Sequence, residues 1–297
     1  MLDRQHLAIL REVDRLGSVT AAAERLNLTQ SALSHAIARF EARHGVPVWR
    51  REGRGLRLTQ AGGYLLELAG RVLPQLEHAE RMLAELARGA RGALRAGMEC
   101  HPCQQWLMRV VAPYLAAWPD VDLDLRTAFR FDGIAALLGY EIDLLITPDP
   151  VDLAGIRYTR VFSYEMVLAV PEGHLLRGPV RPQDLADEVL LSYPVPPERL
   201  DVFTRFLIPA NCRPQRHRRV ETTEMMLQLI AAGRGVSAVP DWILHEEAAG
   251  LPIRALRLGE GIGKGLHIGL REGEEGIDYL AGFVALAREA GARMAAR

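Results

Sequence analysis

The sequence predicts an α/β chain in three parts: an all-α-dominated helix-turn-helix unit with a β-hairpin wing over residues 1–58, a long connecting helix over 59–88, and an alternating strand–helix domain over 89–297. Three observations carry this. Two short amphipathic segments meet across the tight break Asn27-Leu28-Thr29. Apolar residues then recur at alternating three- and four-residue steps from Leu66 to Ala87. Beyond residue 92 the period switches between two and 3.6, which is the pattern of strands alternating with helices.

The first helix is expected over about Asp3–Leu16, with Leu7, Leu10, Val13 and Leu16 on one stripe and Gly17 as its stop. Ser18 is a good N-cap for the second helix, because its hydroxyl can accept from a free backbone N–H. Val19, Ala22, Ala23 and Leu26 face inward, and the small alanines let a crossing helix come close. Thr29 caps a third helix whose buried face is Leu33, Ile37 and Phe40. Its opposite face carries Gln30, Ser31, Ser34, His35, Ala38 and Arg39. A merely solvated face would favour Glu and Lys for their helix propensity. A small, nearly uncharged face suits a DNA groove, and the first turns of such a helix are where base edges are read.

Val46-Pro-Val-Trp49 and Leu56-Arg-Leu58 flank Glu52-Gly-Arg-Gly55, a hairpin with a glycine turn. Arg50, Arg51 and Arg54 belong to this wing and are aimed at phosphates. Residues 1–60 hold ten arginines against six acidic residues, and the other 237 hold 26 basic against 31 acidic residues. A basic reader on a mildly acidic body follows. Lys264 is the only lysine, which reads as compositional bias.

The connecting helix places Leu66, Ala69, Leu73, Leu76, Glu80, Leu83 and Ala87 on a heptad-like seam, broken once by Glu80. The seam implies pairing with a twin helix; packing on its own domain is the alternative. Pro74 should kink the helix. Gly89-Ala-Arg-Gly92 reads as a hinge.

With Ala21-Ala-Ala23, Thr29-Gln-Ser-Ala-Leu-Ser34 and Leu58-Thr-Gln-Ala-Gly62, the N-terminal ninety residues resemble the LysR-type transcriptional regulators. The resemblance implies a winged helix-turn-helix, a dimerising linker helix and a periplasmic-binding-protein-like effector domain of two subdomains with a cleft between them. It further implies double-stranded promoter DNA and RNA polymerase as partners, and a homotetramer built as a dimer of dimers. Crossings near Ser163 and Gly265 would give subdomain I as 89–163 plus 266–297 and subdomain II as 164–265.

Ligands of such sheets sit beyond the carboxyl ends of the strands. Glu99-Cys-His-Pro-Cys103, containing Glu99, Cys100, His101 and Cys103, precedes a helix N-terminus, whose free N–H groups favour a carboxylate. Thr147, Asp149, Ser192, Tyr193, Thr222 and Thr223 are expected to line the same cleft. For an amino acid, the Cys100–Cys103 amides or the Thr222 and Thr223 hydroxyls would take the carboxylate, and Glu99, Asp149 or Glu221 the ammonium. Met98-Glu-Cys-His-Pro-Cys-Gln-Gln-Trp-Leu107, Leu191-Ser-Tyr-Pro-Val195, Arg199-Leu-Asp-Val202 and Leu258-Gly-Glu-Gly261 are similar to the branch of the family that activates methionine-biosynthesis genes, which implies homocysteine as co-effector. A regulator of another pathway sensing a different small carboxylate or amino acid is one alternative. A thiol-redox sensor through Cys100 and Cys103, or a zinc sensor if Cys212 and His217 joined them, is another.

Composition narrows the rest. Nearly half the residues are apolar and a quarter charged, as in ordinary globules. No apolar run approaches the ~20 residues of a membrane helix. The N-terminus lacks a signal peptide's apolar stretch, and three cysteines make no disulfide framework, so a cytoplasmic location is expected. No nucleophile elbow, phosphate loop or HExxH is present, which speaks against an enzyme and leaves no resident cofactor to expect.

Overall fold

The computed structural model describes residues 2–52, 55–87, 92–127, 132–246 and 248–295. It divides into two compact units, 1–90 and 91–297.

In the first unit, α1 (Arg4–Leu16) is capped by the Asp3 side chain, which accepts from the His6 N–H at 3.1 Å. It stops at Gly17, whose φ of 63° is the left-handed conformation glycine adopts freely. Ser18 caps α2 (Val19–Arg25), and Thr29 caps α3 (Gln30–His44). Asn27, at φ 55°, makes the break between them. Ile9, Leu10, Val13, Ala22, Ala23, Leu33, Ile37 and Phe40 form the core, and the two fully covered alanines are where α2 meets its neighbours. Leu16 departs from the expected stripe: it is exposed at the end of α1, and Ile9 is buried instead.

The wing is β1 (Trp49–Glu52) paired antiparallel with β2 (Gly55–Leu58), Arg50 opposite Arg57. Arg54 lies outside the described residues, as do the side chain of Arg51 and residues 88–91, which hold most of the expected hinge.

The linker helix, α4 (Gln60–Ala87), runs uninterrupted through Pro74. Its seam divides in two. Ala69 and Leu73 are buried against Leu7, so the first half packs on its own unit. Leu76, Leu83 and Leu86 are exposed. Glu80 is no mere interruption, because it pairs with Arg4, while Glu77 pairs with Arg11 at 2.7 Å.

The second unit is built on β3 (Gly92–Met98), α5 (Cys103–Ala117), β4 (Val121–Thr127), α6 (Gly133–Leu138), β5 (Leu144–Thr147), β6 (Ile156–Pro171), β7 (Val189–Ser192), β8 (Arg216–Arg219), α7 (Thr223–Ala231), β9 (Val236–Pro240), α8 (Asp241–Glu246), β10 (Ile253–Arg271) and α9 (Asp278–Ala295). The strands make one sheet in the order β4-β3-β5-β10-β6-β9-β7-β8. Strand–helix alternation leads one to expect parallel pairing, and the sheet is mixed instead. β3 pairs parallel with β4 and β5, and β7 parallel with β8 and β9. β6 and β10 run antiparallel to each other and to their flanking strands. The reason is topological: one chain leaves the first half along β6 and returns along β10, and adjacent outward and return paths must oppose. Gly265 faces Ser163 in this register, and a bulge follows between Leu266 and His267.

Trp106, Tyr114 and Phe283 are fully buried between α5, α9 and the sheet. Arg271, at the end of β10, is 5% exposed. Its guanidinium donates to the carbonyls of Leu137 (2.7 Å) and Ile142 (2.6 Å) and to Asp143 Oδ1 (3.1 Å), and it lies over the Tyr140 ring. Nε reaches Glu274 at 2.9 Å. Asp143 Oδ2 accepts the Arg95 N–H at 3.0 Å. This network closes the end of the sheet around α6.

Candidate functional site

Two surfaces carry the chemistry, one in each unit. In the first, Gln30, Ser31, Ser34, His35 and Arg39 are all exposed on α3, opposite its buried Leu33, Ala36, Ile37 and Phe40. Arg50 is exposed on the wing. Arg57 is partly neutralised by Glu52, 3.2 Å across the hairpin.

In the second, a cavity opens at the carboxyl ends of β3, β5, β7 and β9, where open α/β sheets place ligands. Its volume is ≈ 90 Å³, and Glu99, Cys100, His101, Asp149 and Tyr193 line it as the sequence leads one to expect. Cys100 and Cys103 are joined by a disulfide with Cα atoms 5.5 Å apart, a usual span for such a bridge. Glu99 is tied down, because its Oε1 accepts the Gly133 N–H at 3.0 Å. His101 stacks on Tyr193 with ring centres 4.8 Å apart, and the Tyr193 hydroxyl lies 2.9 Å from Thr223 Oγ1. Gln105 of α5 donates to Glu224 of α7 at 3.1 Å, linking the two helices.

Several expected residues stand behind this lining. Thr147 is buried and its hydroxyl accepts the Asp149 N–H at 3.1 Å, shaping the loop that presents Asp149. Ser192 Oγ turns away, 2.7 Å from His217 Nε2. Thr222 caps α7 through the Met225 N–H, which is the ordinary structural use of a threonine there. Thr223 supports Tyr193, and Cys103 begins α5 beneath the disulfide. Glu221 is exposed and forms no part of the cavity wall, so it is not placed to meet a ligand's ammonium. Cys212 and His217 line a separate hollow with Phe203, and do not join Cys100 and Cys103. Among the described residues no group of three or more His, Cys, Asp or Glu side chains could hold a metal ion.

Sequence reasoning missed Tyr164, Arg199, Asp201 and Lys264, all in the cavity wall. Tyr164 and Lys264 sit on the long crossing strands, where nothing in the local pattern marks a site. The one lysine, read from composition as mere bias, lines the cavity with its Nζ 2.6 Å from both Asp149 Oδ1 and Asp201 Oδ2.

Burial, with Arg199 nearby, pushes the His101 imidazole down to about 4. The ring is therefore neutral at pH 7. The unfolded chain takes up this proton near the ordinary value of ~6.5, so the unfolded state binds more protons between that value and the folded one. Stability then falls as pH is lowered through that window. His217 and His267 are shifted in the same direction, first by burial. Urea unfolding at pH 7 and pH 5 is expected to show a loss on acidification that is smaller in His101→Gln. An equal loss in both proteins would remove His101 from the account.

A winged helix-turn-helix unit followed by a two-subdomain α/β unit defines a DNA-binding transcriptional regulator. The comparisons agree. Residues 4–63 match the bacterial regulatory helix-turn-helix protein family of the lysR type, and residues 87–292 match the LysR substrate binding domain. The chain belongs to the LysR family of transcriptional regulators. It is 37% identical to the transcriptional regulator MetR of Escherichia coli K12 over 291 residues, covering 97% of this chain and 90% of that one. MetR of Haemophilus influenzae is 35% identical over 285 residues, with 95% and 92% covered. The solved regulatory domain of a MetR from N. meningitidis superposes with a TM-score of 0.64 at 32% identity, covering 68% of this chain and 94% of that one. CbnR, another LysR-family regulator, shares the fold over 98% of this chain with a TM-score of 0.60 at 24% identity. These relatives are named regulators, not enzymes.

Proposed function

We propose that this protein activates methionine-biosynthesis genes and takes homocysteine as its co-effector, acting in the cytoplasm. The observation that carries the reading is the full-length likeness to MetR proteins, 37% over 97% of the chain. The cavity supports it: ≈ 90 Å³ is several times the ~10–15 Å³ that admits a single water, so a small ligand has room to enter. Gln30, Ser31, Ser34, His35 and Arg39 read base edges, and Arg50, Arg51 and Arg54 of the wing hold phosphates. The exposed second half of α4, with Leu83 and Leu86, supplies the face for pairing with a second copy; two such dimers make the tetramer, and the promoter-bound assembly meets RNA polymerase. Effector binding acts by its differential affinity for two arrangements of the cleft.

Footprinting and salt titration on the promoter of a methionine-synthesis gene, with and without homocysteine, test this. Arg50→Ala is expected to weaken specific and random duplex alike and to reduce the salt slope by about 1, whereas Ser34→Ala is expected to relax sequence preference. Homocysteine should alter the footprint where methionine does not. Unchanged binding in both variants would defeat the interface, and indifference to homocysteine would defeat the effector.

One observation favours a second reading. Cys100 of the Cys100–Cys103 disulfide lines the cavity, so reduction of the bridge would change the site's shape. A promoter affinity that follows the thiol/disulfide state of the protein with no metabolite present would select thiol-redox sensing instead.

A further inference from the structure

The cavity wall holds an unusual arrangement of charge. Lys264, on β10, is 8% exposed in its side chain and contacts two carboxylates at 2.6 Å each. Asp149 follows β5 in the first half of the sheet. Asp201 precedes the helical turn Val202–Leu207, whose Val202, Phe206 and Leu207 pack on the second half against Leu168, Val170 and Val180. The lysine thus ties the two halves together through one carboxylate from each. Asp201 also lies 3.7 Å from Arg205, which donates to the Gly263 carbonyl at 3.1 Å. Asp149 is 57% exposed in its side chain and is held by the lysine alone among the contacts found for its carboxylate. Glu99, the remaining acid of the lining, is occupied by the Gly133 N–H.

We propose that the Asp149–Lys264–Asp201 bridge is the specificity element of the cleft: an α-amino acid exchanges into it, its carboxylate taking the Lys264 ammonium and its ammonium taking the carboxylates the lysine gives up. The chemistry is balanced. Two ion pairs within the protein become two between protein and ligand, and neither Lys264 nor Asp201, the two sheltered members, is left without a partner. A ligand with only a carboxylate would strip the lysine from both acids, leaving Asp149 to solvent and Asp201 to Arg205 alone, with Arg199 the only other cation among the described residues of the wall. A ligand with only an ammonium would compete with the lysine for the acids and leave it alone. The bridge therefore rejects both and accepts the zwitterion. Because the bridge spans both halves of the sheet, the same exchange replaces a contact between the halves by a ligand touching each, which couples occupancy to the arrangement of the cleft.

This inference rests on the reading of the cavity as the effector site, and the test separates the two. Isothermal titration of the full-length protein uses L-homocysteine, 4-mercaptobutyrate (no ammonium), 3-mercaptopropylamine (no carboxylate) and a panel of other L-amino acids. Wild type is expected to prefer homocysteine to either truncated thiol by on the order of 10- to 100-fold, the equivalent of one charge-assisted hydrogen bond. Lys264→Met should lose homocysteine affinity by a similar factor and cease to distinguish it from 3-mercaptopropylamine. Asp201→Asn keeps the lysine paired with Asp149 and should instead narrow the preference for homocysteine over 4-mercaptobutyrate, because one of the two carboxylates offered to the ammonium remains. Wild-type affinity for homocysteine in Lys264→Met and Asp201→Asn overturns the exchange and leaves the homocysteine reading standing. Binding of a different amino acid with the same dependence on both residues overturns homocysteine and keeps the exchange. Failure of wild type to bind any amino acid overturns both.

Discussion

Arg271→Met is expected to cost about 3–5 kcal/mol of stability, the usual loss when one partner of a buried ion pair is removed. The side chain is 5% exposed and Asp143 only 2%. Methionine fills much of the same space, so the loss is not one of volume. It comes from Asp143 Oδ1 and the carbonyls of Leu137 and Ile142, which all lose their donor where water does not replace it. Asp143 keeps on its other oxygen both the Arg95 N–H and the Arg95 guanidinium, whose Nε lies 3.4 Å away, so the carboxylate is not left without a counter-charge and the loss falls at the lower end of that range. Arg271→Lys should recover part of the loss, because an ammonium can meet the carboxylate but cannot serve the carbonyls in the fork geometry of a guanidinium. Urea unfolding of the full chain, with both variants and wild type, measures this. A total stability of about 5–15 kcal/mol is typical of a domain, so the effect is a large fraction of the whole. A loss below about 1 kcal/mol in Arg271→Met would mean that water reaches the site.

Gly62→Ala is expected to destabilise the DNA-facing unit by about 1–3 kcal/mol, against the direction of helix propensity, which favours alanine by ~1 kcal/mol. Gly62 lies in the first turn of α4 beneath the wing. A Cβ there would overlap the Val48 carbonyl oxygen and approach Leu58 Cδ2 to 2.9 Å. The oxygen cannot move aside freely, since it accepts the Thr59 N–H at 3.0 Å and Val48 is fully buried. The wing must therefore shift relative to the helix that carries it, and Arg50 with it. Promoter affinity should fall about tenfold for each ~1.4 kcal/mol needed to restore the wing, while titration of the effector cleft is unchanged. Gly63→Ala is the control: a Cβ at Gly63 meets nothing within 4 Å, so that variant should be neutral or slightly stabilised. If both variants behave alike, close packing at Gly62 is not what holds the wing.

Much of the first unit was legible in the chain. Ser18 and Thr29 cap the helices expected of them, and Leu33, Ile37 and Phe40 are the buried face of α3. The bonds that decide these features join residues a few positions apart. The linker helix was legible as a helix but not in its contacts. The spacing that suits a twin helix suits α1 equally well, and it is Leu7 that covers Ala69 and Leu73. Likewise the crossings near Ser163 and Gly265 were legible, but not that each lies within a strand as long as β6 or β10. The extensions of these strands, including the glycine-rich stretch before Leu266, become strand only by pairing with each other across the sheet.

The sequence by itself determined a basic helix-turn-helix unit with a wing, a heptad-like linker and an α/β domain, because caps, turns and amphipathic periods are local and are written in neighbouring residues. It also placed Glu99, Cys100, His101, Asp149 and Tyr193 at the cavity, since strand ends can be read from strand patterns. Only the tertiary structure decided that Lys264 bridges Asp149 and Asp201, that Arg271 serves α6 and Asp143, and that Cys212 and His217 stand apart from the other two cysteines. Such contacts join residues tens to more than a hundred positions apart. No local preference encodes them; they exist only once the crossing strands have set the register that brings those side chains together.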